Sequence, residues 1–234
     1  MKYEFLSQKF SDIKKFCGYR IWKKPTPMGI YAIGGDVAEG IGGDASCAVV
    51  LDCSNGQHVA TYWSNMVDVD NYSAELFKLG SWYNRAMICI ESNNHGHAVI
   101  ALMGGAVGSL AYPNLYKRIE YNEYTAERKR TIGFRTSPQT KPRIIENLKS
   151  ALKSGDIVTQ DKELIQELSS FIKDARTGKM GAKGKAHDDR VMALALAWEQ
   201  ARLIKENLKM TGSGSVPEQH YDPSTGFPIC NSME

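Results

Sequence analysis

Four carboxylates in this chain stand where an apolar element normally carries none. Asp36 follows "YAIGG", Glu91 follows "MICI", and the pair Asp188–Asp189 immediately precedes "RVMALALA". An ionised carboxylate taken out of water is penalised by several kcal/mol unless it is paired or bound to a cation. Brought together, such groups repel, and either raised proton affinity or a divalent cation relieves them. Oxygen donors without a thiolate or imidazole cluster favour Mg2+ or Mn2+. The chemistry open to such a site is metal-assisted hydrolysis. Taken singly, each residue has a plainer reading: Asp36 can open a turn, Glu91 can end a strand in solvent, and Asp188 or Asp189 can cap a helix. It is the combination that points to a shared site.

Other candidates are weaker. Asp44, in "GIGGDAS", is an accessory ligand or a turn aspartate, and His187 either orients a water or phosphate beside the acidic pair or lies at the surface. His95 and His97 lack the second His/Cys cluster that zinc requires. "GGAVGS" and "GAKGKA" lack the spacing and the Lys-Ser/Thr ending of a phosphate loop, which removes a nucleotide-hydrolysing motor of that type.

The elements that would carry these acids can be read from periodicity. "IYAIGGDVA", "ASCAVVLD" and "QHVATYWSNM" read as three strands with short links, the second link holding an Asn-Gly turn, and predict an antiparallel meander. "VDNYSAELFKLGSWYN" has helical spacing with Tyr72, Leu76, Leu79 and Tyr83 on one face. "AMICIES" is a continuous apolar run, expected of a strand covered on both faces and parallel to its neighbour. "HAVIALMGGA" reads as a helix and "NLYKRIEY" as a further strand. A helix ending near Gly155, a short strand at "IVTQ", a helix opening on Asp161 through "DKELIQELSSFI", and a long terminal helix from His187 complete the order. This predicts an α/β fold: a mixed sheet, three antiparallel strands then parallel ones, with helices on both faces. If the first and fourth strands are neighbours, Asp36 and Glu91 meet at their C-terminal ends, the edge where open α/β sheets collect ligands.

Residues 1–28 read as a short amphipathic helix and a basic connector, 29–208 as one domain, and 209–234, rich in Gly, Ser and Pro, as a disordered tail. The five cysteines form no CxxC pair and suit a reduced cytosol, Cys47 and Cys89 serving as small hydrophobes. No apolar run approaches the ~20 residues that span a bilayer, so no membrane is expected. A net charge of +3 neither requires nor excludes nucleic acid, so the placement of charge decides. Arg128, Lys129 and Arg130 form a basic run, and Arg176, Lys179, Lys183 and Lys185 lie in a glycine-rich loop leading into Asp188–Asp189. Cations beside an acidic metal site suit a polyanion held by its backbone, without base reading; the alternative is a solvated loop.

"YAIGGDVAEGIGGDAS", "ICIESNN", "GFRTSPQTKPRIIENL" and "GKAHDDRVMALALAWE", in that order, resemble the nuclease domain of the large terminase subunit of tailed bacteriophages, over about residues 28–206. The resemblance implies an RNase H-like fold and a two-metal endonuclease, using Mg2+ or Mn2+, that cuts concatemeric double-stranded DNA in the host cytoplasm. By position it implies Asp36, Glu91, Asp188 and Asp189 as catalytic metal ligands, with Asp189 favoured over Asp188 as the direct one, and Asp44 as an additional acid. It implies as partners a packaging ATPase domain, the small terminase subunit and the portal, and this chain as an excised C-terminal domain. Rival readings are a junction resolvase or transposase core of the same fold, an actin-like ATPase or sugar kinase, for which the chain is short, and a non-catalytic docking module.

Overall fold

A computed structural model describes residues 17–38, 44–106, 110–121, 128–173, 180–182 and 187–211. In chain order its elements are β1 (Cys17–Ile21), β2 (Tyr31–Asp36), β3 (Ser46–Asp52), β4 (His58–Ser64), α1 (Val69–Trp82), β5 (Met87–Ile90), α2 (Asn94–Met103), β6 (Lys117–Tyr121), β7 (Arg128–Ile132), α3 (Thr140–Ser154), α4 (Lys162–Ser170), β8 (Phe171–Lys173), β9 (Met180–Ala182) and α5 (Asp189–Thr211). The main sheet has the order β1-β4-β3-β2-β5. The β2–β3–β4 meander is antiparallel and β5 runs parallel to β2, as the apolar patterns predict.

Side-chain alternation assigns each strand residue to one of two cores. Tyr31 and Ile33 of β2, Ala48 and Val50 of β3, and Ile88 and Ile90 of β5 pack with α1 and α2. Ala32, Cys47, Val49, Leu51 and Cys89 pack on the opposite face with α3 and α5. The cysteines among them are buried and form no disulfide. The helix α5 is close because residues facing the sheet are small: Ala193 and Ala197, one turn apart, are fully buried and approach Gly34. At Gly34 the approach is closest. A Cβ there would lie 1.9 Å from the Ala193 carbonyl oxygen and 2.5 Å from the Ala197 nitrogen.

Four departures from the sequence reading have local causes. The stretch read as helix and connector contributes β1, an edge strand antiparallel to β4, so the sheet draws on residues before 29. Its alternation (Tyr19 and Ile21 against the α1 side, Arg20 against Glu163) is too brief to register as a pattern. "NLYKRIEY" does not extend the sheet as a full strand. Only Leu115 bridges Ile88 beside β5, and the chain then leaves as the β6–β7 hairpin. "IVTQ" forms a single bridge between Val158 and Gln57 rather than a strand. The helix opening on Asp161 stops at Ser170, and Phe171 and Ile172 enter the small β8–β9 pair. Residues 1–16 and 212–234 lie outside the described residues. No helix among the described residues is long and apolar enough to cross a membrane.

A buried polar cluster ties β4 to the segment preceding α4. His58 sits with Nδ1 2.8 Å from Thr159 Oγ1 and Nε2 2.8 Å from Thr61 Oγ1 and 3.0 Å from the Ala60 carbonyl. Thr61 in turn donates to Asp161. Burial, with the charge of Arg190, lowers the His58 pKa to about 4. In the unfolded chain a histidine titrates near ~6.5. The native state therefore binds fewer protons than the unfolded state between those values, and stability is lost as pH falls through that window, by about 3 kcal/mol in all. In urea unfolding at pH 7.5 and pH 4, wild type is expected to lose that amount relative to His58→Gln. A difference between the two proteins that does not change with pH contradicts it.

Candidate metal centre

The period of the strands decides where the acids face. Asp36 shares the side of β2 that carries Ala32 and Gly34, the side covered by α5. Glu91 follows Ile90, shares the side of Cys89, and donates its backbone N–H to the Gly35 carbonyl at 2.9 Å. Both carboxylates thus emerge at the C-terminal ends of neighbouring parallel strands, on the face where α5 begins. Asp36 is half-buried, and burial together with Glu91 raises its pKa well above the usual carboxylate range, with smaller contributions from Asp189 and Asp188.

Two local devices hold this corner. Asn93 caps α2, accepting from the Gly96 N–H at 2.7 Å, while its own amide donates to the Val37 carbonyl at 3.1 Å and so laces the turn after β5 to the end of β2. Gly96 lets the first turn of α2 rest on Glu91, since a Cβ there would lie 1.8 Å from the Glu91 carbonyl oxygen. The start of α5 is anchored from the far side. Glu167 of α4 accepts from the Arg190 backbone N–H at 2.9 Å and pairs with its guanidinium, which also lies 4.9 Å from the Trp63 ring centroid. The residue before this anchor is Asp189.

Asp189 is buried, at 6% exposure, and accepts from the Ala45 N–H at 3.3 Å. Burial pushes its carboxyl up to about 6, against the Ala45 amide and His187, which favour charge; Asp44 and Asp188 add to the rise. Asp188 is more open. Its carbonyl accepts the Met192 N–H and its carboxylate lies 3.6 Å from Lys141 Nζ. His187 Nδ1 lies 3.5 Å from Asp44 Oδ1 and 3.9 Å from Asp189 Oδ2. Asp44, His187 and Asp189 each offer a ligand atom within 4.8 Å of the others.

These groups line one cavity of about 620 Å³: Asp36, Asp44, Glu91, Asp188 and Asp189, with Lys141 as the cation among them. The oxygen-rich donor set, and the raised proton affinity of Asp36 and Asp189, are what a hard divalent cation would relieve. His187 stands at the rim, half exposed. His95 lines the same cavity, while His97 is exposed. Lys141 and Asn93 escaped the sequence reading. Lys141 had a usable signal: a lysine in the first turn of a helix opposes the helix dipole and asks for a partner elsewhere. Arg128, Lys129 and Arg130 lie exposed on β7. Arg176, Lys179, Lys183 and Lys185 lie outside the described residues.

A mixed sheet in this order, with helices on both faces, is an RNase H-like fold, and the acids gathered at its C-terminal strand ends occupy a position suited to metal binding. Residues 33–200 match the family described as terminase RNaseH-like domain, and the chain belongs to that family. It is 30% identical over 180 residues to the large terminase subunit of Thermus virus P23-45, covering 74% of this chain and 32% of that protein. The chain thus spans about a third of that relative's length. Among solved structures it resembles the large terminase nuclease from thermophilic phage G20c with bound magnesium, at a TM-score of 0.61 and 25% identity, covering 78% of this chain and 87% of that one. It also resembles the large terminase nuclease domain of Thermus phage P74-26, at a TM-score of 0.57 and 25% identity, covering 78% and 85%.

Proposed function

We propose that this domain is a divalent-cation-dependent endonuclease that hydrolyses phosphodiester bonds of double-stranded DNA during viral genome packaging. The observation that carries the reading is the convergence of Asp36, Glu91, Asp188 and Asp189 from two strands and a helix on one cavity. The magnesium-bound G20c relative supports a divalent cation. Two bound Mg2+ or Mn2+ ions would supply a water of lowered pKa as nucleophile and neutralise the leaving 3′ oxygen.

The protein's own part is to hold that charge in place. Asp36, at the end of β2 between β3 and β5, would be the central cation ligand. Glu91 and Asp189 flank it, and Asp188 supports the site from the helix start. Lys141, held at Asp188, is placed to meet a phosphate oxygen. Asp44 and His187 bracket Asp189 and orient water or substrate at the rim. Arg128, Lys129 and Arg130, with Arg176, Lys179, Lys183 and Lys185, would contact backbone phosphates, giving salt-sensitive binding without sequence choice. In a longer subunit the domain would act with a packaging ATPase, the small terminase subunit and the portal in the host cytoplasm.

The test is a supercoiled plasmid incubated with purified protein and Mn2+. Nicking and linearisation are expected, with none in EDTA, and linear duplex should be cut at a rate comparable to a four-way junction. No cleavage at all contradicts the reading, and a strong preference for the junction would favour a resolvase.

A further inference from the structure

A second cavity, of about 570 Å³, lies between the base of the β6–β7 hairpin and the start of α3. Its charged lining is Arg118, Arg135 and Arg143 against Glu120. Arg118 is fixed in place, pairing with Glu120 at 2.8 Å and donating to the Gly133 carbonyl at 2.8 Å. Glu120 is taken up by Arg118 and by the Thr131 hydroxyl, and also feels Arg135. Arg143 is 59% exposed, and its contact to Glu199 is long, at 3.6 Å. Glu199 is itself shared with Arg202 and Asn147. Three arginines thus face a single lining carboxylate.

The location gives this cavity meaning. Phe134 bridges Glu91, with its N–H on the Ile90 carbonyl and its carbonyl on the Ser92 N–H. Arg135 is therefore one residue beyond the position beside Glu91, along the same sheet end. On the other side, Thr140 lines the arginine cavity and the next residue, Lys141, lines the acidic one. The two cavities are neighbours at the start of α3. A duplex carries a phosphate every ~3.4 Å of axis on each strand. A strand with one phosphate among the acids must lead its next phosphates past one flank or another, and this flank is cationic.

We infer that the Arg118–Arg135–Arg143 cleft binds the DNA backbone beside the phosphate held at the acidic cavity. The inference rests on the nuclease reading for its substrate, but binding and cutting are separate readouts. Binding of a fluorescent duplex is measured against salt in Ca2+, and plasmid cutting in Mn2+. Arg135→Ala/Arg143→Ala should weaken binding roughly 30-fold at about 0.15 M salt and reduce the slope of log K against log salt by about 2, near 0.9 for each phosphate no longer neutralised. Lys149→Ala, an equally exposed cation on α3 outside the cleft, should keep the wild-type slope. Thermal melts matching wild type show that the double variant is folded, and both arginines are exposed enough for that to hold. A double variant with the wild-type slope, or the same loss in Lys149→Ala, overturns the cleft even if the protein cuts DNA. A reduced slope in the double variant alone supports it, even if no DNA is cut and the nuclease reading falls. A wild-type protein that fails to bind duplex overturns both.

Discussion

Asp36→Asn is expected to abolish Mn2+-dependent cleavage while making the metal-free protein harder to unfold. The two effects have one source. Asp36 is held in a low-dielectric corner against Glu91, with Asp189 and Asp188 nearby, so burial and repulsion both disfavour its charged form. The site concentrates charge that a proton or a divalent cation relieves. On the proposed mechanism, loss of the Asp36 carboxylate removes charge stabilisation worth several kcal/mol in the transition state, which corresponds to a rate about 10³-fold lower. The same substitution removes a destabilising charge from the apo fold. Because the folded carboxyl holds its proton more tightly than the unfolded one, the native state is penalised at neutral pH and regains stability as pH falls towards the unfolded pKa near ~3.9. The asparagine variant should therefore melt several degrees higher at pH 7, since ~1 kcal/mol moves Tm by about 2–4 °C at this size, and the gain should shrink towards pH 4. Wild type should gain further thermal stability on adding Mn2+, and the variant little. Calorimetry with and without Mn2+ checks this, and a variant that melts lower than wild type without metal contradicts it.

Gly34→Ala is expected to be strongly destabilising, because its methyl would press on the α5 backbone. Its Cβ would meet backbone atoms of α5, at 1.9 Å from the Ala193 oxygen and 2.5 Å from the Ala197 nitrogen, with Leu196 Cβ at 2.9 Å. Flexible side chains can swing aside from such a contact, but a helix backbone can only move as a unit. The residues concerned are fully buried, so the shift would open gaps along the whole β2–α5 seam. Over-packing usually costs about 1–3 kcal/mol and more where the backbone must yield. We expect about 4 kcal/mol, offset by only ~0.4–1 kcal/mol from the reduced freedom of the unfolded chain. The displacement also carries Asp189 away from Asp36, so metal-dependent cleavage should fall even where the variant remains folded. Gly35→Ala is the control. Its Cβ would approach the Tyr72 hydroxyl no closer than 3.3 Å, and a substantially smaller loss is expected. Denaturant unfolding of both variants decides the matter, and equal losses would contradict the account.

What was legible in the sequence follows the reach of each signal. The meander and β5 announce themselves through apolar runs bounded by Gly and Asn-Gly, and the sheet pairs them as those runs predict. Alternation even sets the faces of Asp36 and Glu91, because each lies two residues beyond a core position on the α5 side. The start of α5 was legible as a helix boundary, but the anchor that holds it was not. Glu167 lies on a different helix, and nothing in "KELIQELSS" marks one glutamate as the partner of the Arg190 N–H. The β6–β7 hairpin was half missed because its strands lack a buried face. Ile119 is 64% exposed, and Arg118, Glu120 and Thr131 satisfy one another, so no apolar period forms. β8 and β9 are three residues each, below the length at which any period can be counted.

The central claim is that acids from distant stretches meet around a divalent cation. Anomalous scattering from a crystal soaked in Mn2+ tests it directly. Peaks are expected within metal–oxygen bonding distance, about 2.0–2.2 Å, of carboxylates from both Asp36 and Asp189. A soaked crystal with no peak in this cavity, or with Mn2+ bound only by exposed surface carboxylates elsewhere, would contradict it.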